Sequence, residues 1–286
     1  MEEDGRFRTV GVVGCGLMGS GIAQVCAGAG FPTRVREVDE ALLARGLGRI
    51  DDFLAAGVER GRTSPEDAAR VKANLTGTTR LEELAGCDLV IEAIVEAAEA
   101  KRETFSALEA IVGPETVFAS NTSSLCITEL AAATERPDRF VGLHFFSPVP
   151  VMKLVEVIRG LATSDSTFER ALAFGRALGK EPVTAPDRPG FIANRLLIPY
   201  LLDAVRAHES GAGTIEDIDK TMTLGCGYPM GPFTLLDFVG LDTAYSIANI
   251  MYDEFRDPKY APPPLLKRMV LAGRLGRKSG RGFYAY

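Results

Sequence analysis

The hydrophobic pattern changes period several times along the chain. Thr9 to Val13 is a short β-branched run that predicts a strand and ends directly in Gly14-Cys15-Gly16-Leu17-Met18-Gly19. A stretch of small residues, Ser20 to Ala29, predicts a helix closed by Gly30. Thr33 to Val38 reads as a second strand, with Glu37 and Asp39 near its end. Strand, glycine turn, helix and strand within about 30 residues is the spacing of a βαβ unit.

Residues 41 to 75 carry a long, charged helical pattern broken near Gly61-Arg62-Thr63-Ser64-Pro65, so a helical hairpin is predicted. Strands follow at Asp88 to Ala93, Thr116 to Ala119 and Phe140 to Leu143, with a helix containing Lys101 to Ile111 among them. Leu154 to Ile158 reads as another strand and Thr167 to Leu178 as another helix. This alternation predicts an open parallel sheet covered on both faces. Pro182, Pro186 and Pro189 then cluster, followed by Gly190, which reads as a linker. Beyond it the periodicity is helical only: Ile192 to Ala207, Ile215 to Leu224, Pro232 to Asp253 and Pro264 to Ala272. The expected organisation is an α/β domain over residues 1–187, with the hairpin inserted, and an all-α domain over residues 188–286.

Composition narrows the classes. The chain has 286 residues, 46% hydrophobic and 24% charged, which excludes a disordered or collagen-like protein. A net charge of −6 argues against a broad nucleic-acid-binding face. No run of about 20 apolar residues predicts a membrane span. The acidic start, MEEDGRFRTV, lacks the apolar region of a signal peptide. Five scattered cysteines (Cys15, Cys26, Cys87, Cys126, Cys226) form no CxxC pair and read as reduced, buried thiols of a cytoplasmic protein. With only His144 and His208 available, no multi-histidine metal site is expected.

The glycine turn has a chemical reading. Gly14 permits the tight turn, Gly16 lets backbone approach a pyrophosphate, and Gly19 lets helix pack on strand. Amides at the helix N-terminus then face the phosphates. Glu37 is the first choice for the acid that bonds the adenosine ribose, with Asp39 the second. A carboxylate there favours NAD over NADP, while Arg36 beside it leaves NADP open.

His144 ends an apolar run, where a parallel strand delivers residues to the cofactor edge of a sheet. A base that titrates near neutrality suits hydride removal from an alcohol. Glu156, on the next strand-like segment, could orient the ring, whereas His208 lies in a polar stretch and reads as surface. Ser120 to Ser124 follow a strand end. Asn194, in the first helix of the second domain, is either a packing amide or a cleft residue on spacing alone.

At this point the motifs resemble the L-3-hydroxyacyl-CoA dehydrogenases, nearest the bacterial 3-hydroxybutyryl-CoA type. The matching stretches are GVVGCGLMGSGIAQ, DLVIEAIVE, FASNTSSL, GLHFFSPVPVMKLVEVI, PGFIANRLLIPYLLDA, MGPFTLLDFVGLD and KSGRGFYAY, in order through both domains. The resemblance implies a Rossmann-type domain and NAD-dependent interconversion of a short 3-hydroxyacyl-CoA with the 3-ketoacyl-CoA. It makes His144 the general base, Glu156 its support, and Ser123 and Asn194 hydrogen-bond donors to the substrate. It assigns the pyrophosphate to Gly14, Gly16, Leu17, Met18, Gly19, Ser20 and Gly21. Glu37 takes the ribose, while Glu96, Lys101, Ser123, Ser147 and Lys278 take further parts of NAD. The hairpin corresponds to the CoA-contacting arm, with Arg60 in register, and the helical domains are expected to pair into a homodimer.

Departures are few. Glu37 stands where Asp is usual, Ser147 where many members have Asn, Phe53 at a polar CoA-contact position, and Tyr228 where His is common. A rival enzyme reading is a related dehydrogenase of sugar acids or carrier-bound hydroxyacids. A rival from another class is a binding protein that keeps the fold without the chemistry.

Overall fold

The computed structural model describes residues 6–286. Residues 1–5, on which part of the signal-peptide reading falls, lie outside the described residues. The chain divides into two compact units, one ending at Asp187 and the other beginning at Arg188.

The first unit is built on an eight-stranded sheet in the order β3-β2-β1-β4-β5-β6-β7-β8. The strands are β1 (Val10–Val13), β2 (Thr33–Arg36), β3 (Leu75–Thr78), β4 (Leu89–Glu92), β5 (Val117–Ser120), β6 (Phe140–Phe145), β7 (Leu154–Arg159) and β8 (Glu181–Pro186). Helices α1 (Leu17–Gly28), α2 (Glu40–Glu59), α3 (Pro65–Ala73), α4 (Ala98–Glu109), α5 (Ile127–Ala131) and α6 (Asp165–Ala177) connect them. The central strands β1, β4, β5 and β6 are buried along their whole length, as a sheet covered on both faces requires. Their Val, Ile, Leu and Phe side chains form the main core with α1 and α6.

The hairpin is α2 and α3, the connection between β2 and β3. Asp39 caps α2 by accepting from the Leu42 amide, and Ser64 caps α3 by accepting from Asp67 ahead of Pro65. Ile50 and Leu54 of α2 and Val71 of α3 meet Ala27 of α1 in a small separate core, so the pair is anchored at its base.

The sheet departs from the sequence expectation in three places, the first being β3, which follows directly on the helical pattern over residues 41 to 75 and is not predicted. Strand β7 runs antiparallel to β6, whereas all other pairings are parallel. The segment joining β6 and β7, residues 146–153, is too short for the dozen or more residues of a parallel crossover. The proline-rich stretch read as a linker contains β8. Pro182 and Pro186 are accommodated because β8 is an edge strand with only β7 beside it.

The second unit is helical: α7 (Ala193–Glu209), α8 (Ile215–Lys220), a π-helical turn (Thr221–Gly225), α9 (Pro232–Val239), α10 (Leu241–Phe255) and α11 (Pro264–Leu271). The pattern over Pro232 to Asp253 predicts one helix, but Gly240 adopts φ 100° and splits it into α9 and α10. Ile198, Leu202, Phe233, Leu236, Ala248 and Met251 lie in a core of its own. Among the described residues, no helix is long and apolar enough to cross a membrane.

The cysteines are less uniform than expected: Cys15, Cys26 and Cys87 are buried, Cys126 is half-buried and Cys226 is exposed. Burial, with Glu37 adding, pushes the Cys15 thiol up to about 11, and burial likewise takes Cys87 up to about 11. An alkylating reagent at neutral pH is therefore expected to label Cys226 first and to reach Cys15, Cys26 and Cys87 only on unfolding. Mass mapping of the labelled peptides checks this, and native labelling of Cys15 as fast as Cys226 would contradict it. These raised values also set a sign. Above pH ~8.5 the unfolded chain ionises its thiols while the folded chain does not, so their burial subtracts stability at alkaline pH.

Candidate active site

The glycine turn lies between β1 and α1. Gly14 has φ 96°, and a Cβ there would meet the Ala93 carbonyl oxygen at 2.6 Å. A Cβ on Gly19 would collide with the carbonyl of Gly14, so the helix can approach the strand only as glycine. Gly16, the N-cap of α1, meets no atom within 4 Å of a built Cβ and offers no side-chain cap. The first turn of α1 thus presents backbone amides beside open space, a fit for a pyrophosphate.

Glu37, just past the end of β2, is tied to this turn. One carboxylate oxygen accepts from the Cys15 amide at 2.8 Å and the other from Val38 at 2.7 Å. Asp39 instead caps α2. Arg36 points its Nε at the Thr79 carbonyl, 3.3 Å away.

Along β6 and β7, antiparallel register sets His144 directly opposite Glu156. Opposed residues project to the same face, and Nδ1 of His144 donates to Oε2 of Glu156 at 2.7 Å. Both side chains are almost fully buried, 5% and 1% exposed. With Nδ1–H directed at a carboxylate, Nε2 carries the lone pair of the neutral ring and accepts from Ser123 Oγ at 3.1 Å. Phe146 packs against the imidazole, ring centroids 4.6 Å apart. The structure brings Ser123, His144 and Glu156 into one hydrogen-bonded line at the carboxyl end of β6, beside the ends of β4 and β5.

Glu96 fixes the serine loop. Its Oε1 accepts from Thr122 Oγ1 at 2.6 Å, the Ser123 amide at 2.9 Å, and both the amide and hydroxyl of Ser124 at 3.2 and 2.9 Å. Its Oε2 lies 3.2 Å from the Lys101 ammonium, which is itself 1% exposed. Burial alone would raise this carboxyl. The Lys101 charge and the donors from Thr122, Ser123 and Ser124 outweigh that and hold it below the usual carboxylate range. Ser147 heads the loop after β6 and precedes Pro148 through a cis peptide. Lys180 donates to the carbonyls of Val149 and Met152 in that loop.

The remaining candidates stand on other elements of the chain. Phe53 and Arg60 are exposed on α2 and at its C-cap. In the second unit, Asn194 opens α7 after a turn in which Gly190 (φ 81°) and Phe191 (φ 43°) both take left-handed backbone. Lys278 pairs with Asp242 at 2.6 Å on the C-terminal segment. Buried Asp237 secures that segment by accepting from the amides of Phe283 and Tyr284. Tyr228 stacks on Tyr200 at 5.3 Å. His208, read as surface, is half-buried and bonds the Gly213 carbonyl at 3.0 Å. Among the described residues, no cluster of three His, Cys, Asp or Glu side chains could hold a metal.

The sequence does not single out Glu92 or Lys180, and it marks Ser120, Asn121 and Thr122 only as part of the polar run after a strand end. Glu92 carried a usable signal, since a carboxylate inside the apolar run Leu89-Val90-Ile91 must find buried partners.

A nucleotide-binding sheet with a buried histidine–carboxylate pair at its carboxyl edge defines the class of dinucleotide-dependent oxidoreductases. Residues 9–188 match the NAD binding domain of 3-hydroxyacyl-CoA dehydrogenase, and residues 190–286 match its C-terminal domain. The chain is 50% identical over 282 residues to a 3-hydroxybutyryl-CoA dehydrogenase of Mycobacterium tuberculosis, covering 98% of this chain and 99% of that one. It is 47% identical to the human mitochondrial hydroxyacyl-coenzyme A dehydrogenase, with 97% of this chain and 90% of the relative covered. The crystal structure of (S)-3-hydroxybutyryl-CoA dehydrogenase from Ralstonia eutropha superposes with a TM-score of 0.93 at 44% identity, covering 98% of this chain and 99% of that one. The chain belongs to the 3-hydroxyacyl-CoA dehydrogenase family.

Proposed function

We propose that this protein interconverts (S)-3-hydroxybutyryl-CoA, or another short 3-hydroxyacyl-CoA, with the corresponding 3-ketoacyl-CoA, using NAD. The observation that carries the reading is the line Ser123–His144–Glu156 on the sheet edge that also bears the glycine turn. NAD, held by the glycine turn, would supply the hydride acceptor for C3. Nε2 of His144 takes the 3-hydroxyl proton, and Glu156 stabilises the imidazolium that forms. Ser123 orients the reacting oxygen, and Asn194 bonds the substrate from the helical domain.

Gly14, Gly16 and Gly19, with the backbone of Leu17, Met18, Ser20 and Gly21, hold the pyrophosphate. Glu37 takes the adenosine ribose, and Glu96, Lys101, Ser147 and Lys278 complete the cofactor site. Arg60 and Phe53 of the hairpin serve the CoA moiety. In this reading residues 1–187 bind NAD, while residues 188–286 bind substrate and pair two copies of a cytoplasmic enzyme. Exposed Leu196, Leu224 and Leu271 in the second unit support such pairing.

NADH is expected to be preferred over NADPH, because Glu37 repels a 2′-phosphate and Arg36 is engaged at Thr79. Glu37→Ala narrows that preference by removing the repulsion. The reading is tested by steady-state reduction of acetoacetyl-CoA and longer 3-ketoacyl-CoAs with NADH and NADPH in parallel. A wild-type enzyme that already favours NADPH would show this role of Glu37 to be wrong.

A further inference from the structure

Glu92 ends β4 and is fully buried, with its side chain 0% exposed. In the ladder it stands level with Val13 of β1, the residue before Gly14, and with Ser120 of β5. All its bonds run to groups that shape the two loops beyond. Oε1 accepts from the Lys101 ammonium at 2.6 Å and from the Ile94 amide at 2.8 Å, while Oε2 accepts from Ser120 Oγ at 2.6 Å. Ser120 Oγ in turn accepts from the Thr122 amide at 3.2 Å.

Lys101 is the branch point. Its one buried ammonium lies between two carboxylates, 2.6 Å from Glu92 and 3.2 Å from Glu96. Glu96 grips the Ser123 amide, and Ser123 Oγ meets His144 Nε2. Glu92 therefore reaches the serine loop by two routes, one through Lys101 and Glu96 and one through Ser120 and Thr122. A purely structural ion pair would need only one of them: Glu92 and Lys101 are both buried and already pair, whereas the Glu96 side chain is 30% exposed.

We infer that Glu92 is a positioning residue for the hydride-transfer reaction: it sets where Lys101 and Ser120 stand, and so holds Ser123 against His144. Removing the charge of Glu92 leaves Lys101 to Glu96 alone, which draws Glu96 toward the ammonium and away from the serine amides. The inference rests on the proposed roles of Ser123 and His144.

A double-mutant cycle tests it, with kcat and KM for acetoacetyl-CoA and NADH measured in Glu92→Gln, Ser123→Ala and the double variant. Glu92→Gln is expected to lower kcat about tenfold, as a small misplacement of a reacting group would, and to raise KM for NADH in both backgrounds, because Lys101 and Glu96 belong to the proposed cofactor site. In the Ser123→Ala background the same substitution is expected to cost less than about twofold in kcat, because the group it positions is gone. Equal factors in the two backgrounds, with Ser123→Ala itself impaired, would overturn the role of Glu92 and leave the site intact. Full activity in Ser123→Ala would overturn the site reading and this inference with it. Should Glu92→Gln fail to fold, Ser120→Ala takes its place in the cycle. It cuts one route without altering charge and is expected to lower kcat only where Ser123 is present; equal loss in both backgrounds would again overturn the inference.

Discussion

His144→Gln is expected to lower kcat by at least ~10²-fold while NADH still binds, the loss that follows when a general base is removed from a transition state. That factor corresponds to about 2.7 kcal/mol of transition-state stabilisation. Gln matches the reach of the ring but cannot take a proton at the position of Nε2. The glycine turn that would receive the dinucleotide lies between β1 and α1 and is held by Gly14, Gly19 and Glu37, so cofactor affinity is expected to survive. Stopped-flow kinetics alongside fluorescence titration of NADH separates the two effects. A variant with nearly normal kcat would remove His144 from the mechanism.

Glu156→Gln is expected to lower kcat by ~10²-fold or more with a smaller change in KM. The side chain keeps its size and one hydrogen bond at 1% exposure, so packing is nearly preserved, but the negative charge facing Nδ1 is gone. The amide can also present its NH₂ group to Nδ1, which favours the wrong tautomer and turns Nε2 into a donor. The lost charge tells when the ring carries the extra proton, and the wrong tautomer tells on the neutral ring that must accept it. They leave the acyl-CoA ground state almost untouched, which is why kcat moves more than KM. Full activity in this variant would make Glu156 a bystander and reduce the pair to His144 alone.

Much of this site is legible in the sequence because its parts are local. The glycine turn is a contiguous motif whose spacing follows from backbone geometry. His144 marks itself as a polar residue closing an apolar strand, and the later strand carrying Glu156 is equally plain. What periodicity could not show is how β7 pairs. The prediction of a parallel sheet misses that β7 turns back on β6, yet that antiparallel register is what sets Glu156 opposite His144. Strand β8 was hidden because three prolines look like a linker unless the edge position is known. Strand β3, Leu75-Thr76-Gly77-Thr78, is too short and too weakly apolar to stand out beside the hairpin.

The network behind Ser123 was illegible for a different reason. Glu92, Lys101, Ser120 and Thr122 come from two strands, a helix and a loop, and their pairing depends on burial and direction rather than on spacing. A buried carboxylate in a strand signals that partners exist without saying which. Asn194 and Lys278 likewise sit on a helix start and a C-terminal segment, where sequence alone leaves a packing role and a ligand role side by side.

The most direct measurement compares the rate of NADH oxidation by acetoacetyl-CoA with that by free acetoacetate under the same conditions. Rapid oxidation is expected with the thioester, little with the free acid, and loss of the thioester rate in His144→Gln. Equal or faster turnover of the free acid would move the enzyme to another substrate class. No oxidation with either, in protein that still binds NADH, would contradict the dehydrogenase assignment itself.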